Sequence, residues 1–142
     1  MKSGVSAHAP RKAVAECVSG VLIGEGAVLV ERRRADDDAD PWLVLLPGGH
    51  VEVGESLNRA LKREMREELG IRVSKITPIR VRYYTASNGE RQRIHYLRVK
   101  DWRGKITSKE AEAVYWESDI SHLSDTIERK IVLKLLSQVP RV

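Results

Sequence analysis

The sequence predicts an α/β fold, a mixed sheet with helices packed on its two faces. Three observations carry this. Short β-rich runs bounded by turn residues stand on both sides of a central helical segment, an Asn-Gly pair marks a hairpin in the second half, and a stripe of Ile127, Ile131 and Leu135 gives the chain a closing helix.

Taken in order, residues 1–12 are small and polar and read as a flexible lead-in, leaving a single domain over 13–142. A chain of 142 residues can bury about two thirds of the surface it exposes when unfolded, enough for one core with no staple. Two β-rich runs, Ala13 to Ile23 and Ala27 to Arg32, are separated by Gly24-Glu25-Gly26 and form a hairpin. Arg32 to Pro41, RRRADDDADP, sets a basic run against an acidic one with no hydrophobic residue larger than alanine, which predicts an exposed loop. Trp42 to Leu46 reads as a short strand halted by Pro47-Gly48-Gly49, with a glycine loop leading into a helix from Leu57 to Leu69. Ser56 is placed to cap that helix and Gly70 to stop it. Ile79, Val81 and Tyr83 then alternate with Arg80, Arg82 and Tyr84, and Asn88-Gly89 turns this strand into a partner around Arg93 to Lys100. A strand over Ala113 to Glu117 and a helix beginning after Ser124 complete the chain.

The central helix poses a physical problem. At roughly 100° per residue its apolar arc holds Leu57, Ala60, Leu61, Met65 and Leu69, yet Glu64 and Glu68 fall inside the arc and Glu67 at its edge. Arg59, Lys62, Arg63 and Arg66 take the opposite, solvated side, so the glutamates are not its ordinary outward charges. They also lie near the helix C-terminus, where the macrodipole disfavours anions. Two carboxylates about 5 Å apart repel by roughly 3 kcal/mol at an effective dielectric near 20. Something positive belongs among them, and hard oxygen donors at i, i+3 and i+4 suit Mg²⁺.

Composition narrows the alternatives. The lone Cys17 allows no internal disulfide and has no CxxC partner, which points to a reducing, cytoplasmic setting and away from zinc. No run approaches a membrane span, and Glu16 and Gly20 interrupt what a signal peptide would keep apolar. A formal charge of +5 favours anionic ligands. The basic residues are nevertheless scattered among acidic ones with no nucleic-acid-binding motif, so nucleic acid is the less favoured partner.

The stretch Gly49 to Ile71, GHVEVGESLNRALKREMREELGI, resembles the Nudix box: Gly, five residues, Glu, seven residues, Arg-Glu, an aliphatic residue, any residue, Glu-Glu, any residue, Gly and an aliphatic residue. Gly49, Glu55, Arg63, Glu64, Met65, Glu67, Glu68, Gly70 and Ile71 fill every specified position. The resemblance to that family, which includes MutT, implies an α/β/α sandwich over about residues 12–139 with one box helix and a C-terminal helix. It also implies a hydrolase that cleaves the phosphoanhydride of a nucleoside diphosphate linked to another moiety, either a nucleoside triphosphate or a nucleotide sugar such as ADP-ribose.

On the same resemblance, Mg²⁺, with Mn²⁺ as a substitute, is held by Glu64, Glu67, Glu68 and the carbonyl of Gly48. Glu64 or a glutamate outside the box, Glu112 or Glu110, takes a proton, while Gly49, Glu55, Arg63 and Gly70 support the site. Trp42, Tyr84 and Arg82 are expected to contact substrate by stacking and charge. Many members pair through their sheets, which suggests a homodimer. An RNA 5′-end or cap enzyme and a catalytically silent nucleotide-binding domain stand as alternatives.

Overall fold

The structure is a computed structural model that describes residues 13–138, so the expected lead-in of residues 1–12 lies outside it. Its strands are β1 (Ala15–Gly24), β2 (Ala27–Arg32), β3 (Val44–Leu45), β4 (Gly48–His50), β5 (Arg72–Thr85), β6 (Arg91–Arg103) and β7 (Ala113–Glu117). Helix α1 (Leu57–Leu69) separates β4 from β5, and a 3-10 turn (Ile120–His122) leads into α2 (Thr126–Ser137). The seven strands form one mixed sheet in the order β3-β2-β1-β6-β5, with β4 pairing β1 and β7 pairing β2. β1 runs parallel to β6, from Ala15 opposite Gln92 to Leu22 opposite Val99, while its other pairings are antiparallel.

β1 is covered on both faces, and its sequence is accordingly apolar almost throughout. Val18 and Leu22 join Leu29, Leu61, Met65, Leu69, Leu97 and Val99 under α1. Cys17 and Val21 face the other way and pack with Val28, Val30, Tyr96, Leu123, Ile131, Val132 and Leu135 under α2. The result is the expected α/β/α sandwich. The first hairpin turns at Glu25 and Gly26, both at positive φ, which matches the twist of the flanking strands.

Three local expectations need correction. The strand expected over Trp42 to Leu46 shrinks to Val44–Leu45, because Asp40 and Trp42 sit at φ 50° and 66° and Leu43 N–H turns back to the Asp40 carbonyl. The acidic loop is not exposed to its end: Asp40 is buried, its N–H donating to Ser87 Oγ (2.6 Å) while its Oδ1 accepts from Ser87 N–H (2.9 Å). The glycines expected to halt the chain instead form β4, with Ser19 opposite Gly48 and Val18 opposite Gly49. A Cβ on Gly48 would run into the Val18 carbonyl oxygen and lie 2.8 Å from Ser19 Cα, so glycine is what permits this pairing.

The second hairpin is also longer than alternation alone implied. β5 gains one residue over β6 between Pro78 and Arg80, a bulge at a proline on the sheet edge, which shifts the visible alternation without ending the pairing.

A buried acid joins this hairpin to α2. Glu128 accepts from Leu46 N–H through Oε1 (2.9 Å) and from the Tyr96 hydroxyl through Oε2 (2.9 Å). Burial pushes its carboxyl up to about 7, with Asp125 adding to the rise while Leu46 N–H, Tyr96 and Arg82 oppose it. The folded protein thus keeps this proton at pH values where the unfolded chain, near 4.5, has lost it, and stability falls as pH rises through that window. The expected outcome is that Glu128→Gln, which cannot ionise, gains about 1–3 kcal/mol over wild type in urea unfolding at pH 8, and that the gain shrinks towards pH 5. An equal difference at both pH values would refute this.

Candidate active site

Helix α1 begins and ends as its sequence predicts. Ser56 accepts from Arg59 N–H (3.2 Å), and Gly70, at φ 72°, turns its N–H back to Arg66 O (3.0 Å). Between these caps the helix lies so close to β4 that a Cβ on Gly49 would overlap the Glu64 carboxylate. Glycine at this position is therefore what lets a carboxylate enter between strand and helix.

Helical spacing sets Arg63 with Arg59, Lys62 and Arg66, yet its side chain turns to pair with Glu55. Its guanidinium folds back along the helix and uses every N–H it has. Nε and Nη2 grip the two Glu55 oxygens (2.7 and 2.9 Å), Nη2 also donates to His50 O (2.8 Å), and Nη1 donates to Glu64 (2.8 Å) and Glu67 (3.2 Å). These bonds hold the Glu55 carboxyl down at about 2. For Glu64, burial outweighs Arg63 and moves the carboxyl above its ordinary value. Glu67 remains 46% exposed at the rim.

A cavity of about 710 Å³, within the size range of small-molecule sites, opens beside this helix. Gly48, Gly49, Glu64 and Glu68 line it; Glu67 and Gly70 do not. Sequence reasoning missed a further acid, Glu31 of β2, which also lines it. Residues two apart in a strand share a face, and Leu29 packs under α1, so Glu31 is carried to the same side. It is 3% exposed and Glu68 is 7% exposed, and one oxygen of each has no hydrogen-bond partner. Burial pushes both carboxyls up, and the charge of Glu31 drives Glu68 further. Two acids in contact and away from water cannot both stay ionised without a cation.

The remaining candidates divide. Glu110 lines the cavity, whereas Glu112 is exposed, does not line it, and donates its backbone N–H to Arg32 O (2.9 Å). Arg82 and Tyr84 line the far end, the guanidinium lying 4.9 Å from the Tyr84 ring centroid and bonded to Asp125, whose Oδ2 also caps α2 through Glu128 N–H. Burial, with Asp40 beside it, raises the Tyr84 hydroxyl to about 12, so it remains a neutral donor. Trp42 is 57% exposed and does not line the cavity, because its left-handed backbone turns it outward.

The donor set fits a divalent cation. It is all hard oxygen, and two of the oxygens, on Glu31 and Glu68, are buried and unpartnered. Among the described residues no three acids converge on one point, since Arg63 holds Glu64 and Glu67.

Comparison with known proteins gives the family and the fold. The family model described as NUDIX domain matches residues 14–130. A CTP pyrophosphohydrolase of Escherichia coli (strain K12) is 35% identical over 107 residues, covering 71% of this chain and 73% of its own. An 8-oxo-dGTP diphosphatase of Buchnera aphidicola subsp. Schizaphis graminum is 28% identical over 101 residues, covering 70% and 73%. Among solved structures, that of the E. coli ORF135 protein superposes with a TM-score of 0.75 at 27% identity, covering 95% of this chain and 99% of its own.

Because lysine has neither the planar fork nor the reach to serve Glu55, Glu64, Glu67 and His50 O together, Arg63→Lys is expected to lower unfolding stability by about 1–3 kcal/mol. Arg59→Lys, on the exposed side, should stay within about 0.5 kcal/mol of wild type in the same urea titration. Equal stability of the two variants would show that the Arg63 fork does not hold the site together.

Proposed function

We propose, from the premise that the chain belongs to the NUDIX family of hydrolases, that it is a magnesium-dependent pyrophosphohydrolase acting on nucleoside triphosphates to release the monophosphate and pyrophosphate. The observation that carries the reading is the cavity of nucleotide size with buried, uncompensated carboxylates along one wall. The relatives point the same way in substrate: the proteins named above are a CTP pyrophosphohydrolase and an 8-oxo-dGTP diphosphatase. A long RNA backbone is a poorer match, since Asp36, Asp37 and Asp38 stand at the cavity with Arg33 and Arg34, whereas RNA needs a continuous basic groove.

Glu64 and Glu68, which line the cavity, with the Gly48 carbonyl, would hold the cation, and Glu67, outside the cavity and bonded to Arg63, would join them only on giving up that bond; the cation supplies charge neutralisation of the phosphates and a water of lowered pKa. The chain's own residues do the rest. Arg63, anchored by Glu55 and His50 O, fixes the rotamer of Glu64, so the carboxylate meets its task already oriented. Glu64, raised above its ordinary value by burial, is the carboxylate suited to take the proton from the attacking water near neutral pH. Glu110, at the cavity, replaces Glu112 as the acid outside the box with access to that water. Arg33 and Arg34 stand at the cavity paired with Asp37 and Asp36, so a distal phosphate would have to displace those aspartates to use their charge, and Tyr84, with Arg82 stacked on it, offers an aromatic face to a base at the far end.

Product analysis over a panel of nucleoside triphosphates and ADP-ribose with Mg²⁺ is expected to give monophosphate and pyrophosphate from at least one triphosphate. Glu64→Gln and Glu68→Gln should each lower turnover by about 10²-fold or more, with the melting temperature at or above that of wild type. Full activity in either variant would overturn the assignment of roles, and no product from any triphosphate would overturn the reaction.

A further inference from the structure

We infer that Glu31 supplies a carboxylate oxygen to the divalent-cation site, so that the site is shared between β2 and α1 instead of being confined to the helix and its preceding glycine. The inference rests on the function proposed above and extends its ligand set to a residue outside the motif.

Glu31 sits where a strand of this kind ordinarily carries a hydrophobe. Val28, Leu29 and Val30 before it are fully buried, and Leu45 is its partner on β3. Yet Glu31 is 3% exposed, lines the cavity, and leaves Oε2 without a hydrogen-bond partner. Its nearest acid, Glu68, is in the same condition. Arg33 opposes the rise of the Glu31 carboxyl from a distance, but no arginine bonds to either acid. Arg33 is committed to Ala39 O (2.8 Å) and Asp37 (3.1 Å), and Arg63 is committed to Glu55, Glu64, Glu67 and His50 O. Among the described residues no ion pair reaches Glu31 or Glu68. The two acids come from different elements, both line one cavity, and their carboxylates are hard donors that a divalent ion would coordinate together. A polar group held this far from water without a partner is costly unless a ligand completes it. The competing account is a structural pair that shares a proton and never meets the metal.

Calorimetric titration of the full chain with MnCl₂, without nucleotide, separates the two. Wild type is expected to bind, Glu68→Gln to lose measurable binding, and Glu31→Gln to bind at least ten-fold more weakly, while the metal-free melting temperature of Glu31→Gln is no lower than that of wild type. Glu31→Gln binding within two-fold of wild type, with Glu68→Gln still defective, would overturn the role of Glu31 and leave the proposed function standing. No manganese binding by wild type would instead remove the cation site and the proposed function with it. Should Gln at this position prevent folding, Glu31→Asp keeps the charge and shortens the arm. A loss of three-fold or more in its affinity supports direct contact, and unchanged affinity refutes it.

Discussion

The approach of α1 to β4 at Gly49 and Glu64 is the contact on which the site depends. Only a strand without a side chain at that point leaves room for a carboxylate, and only a helix pressed onto the sheet brings one there. The same contact explains why apolar burial and charge coexist on one helix. Ala60, Leu61, Met65 and Leu69 are fully buried and seat α1 on the sheet, and their burial carries Glu64 and Glu68 below the surface with them. Hydrophobic packing thus drives the site's electrostatics: the carboxyls rise because the core holds them out of water.

Arg63 converts this arrangement into a fixed geometry. Of its anchors, Glu55 belongs to the segment between β4 and α1 and His50 O to the end of β4, so one guanidinium ties the loop, the strand end and the helix together. Glu55 stays charged with no difficulty because it is outside the core and paired, whereas Glu64 shares the same guanidinium and still rises. The contrast gives the two glutamates different tasks, one holding the arginine and the other held by it.

Away from the acidic wall, a second set of polar groups organises the cavity. Asp125 caps α2 and binds Arg82, Arg82 lies over Tyr84, and Glu128 joins Leu46 N–H to the Tyr96 hydroxyl. These bonds link α2 to the β5–β6 hairpin and to the chain just before Gly48. The far end of the cavity is therefore built from elements that are distant in sequence.

Local order largely decided what could be read from the sequence. The box helix, its caps at Ser56 and Gly70, the Glu25-Gly26 turn and the Asn88-Gly89 hairpin all rest on interactions within a few residues, and each appears where the chain predicts it. The family, and with it the glutamates, was legible for the same reason, being written in one continuous stretch. The strand formed by Gly48–His50 and the buried end of the Asp40 loop were not, because each is set by a partner far along the chain, and the outward face of Trp42 follows from a positive φ that its residue type does not announce. Glu31 shows the division most plainly. Alternation along β2 fixes which side it faces, but that the side is a closed, acidic wall beside Glu68 follows only once β2 and α1 are packed together, since proximity in space is what makes two like charges a single chemical problem.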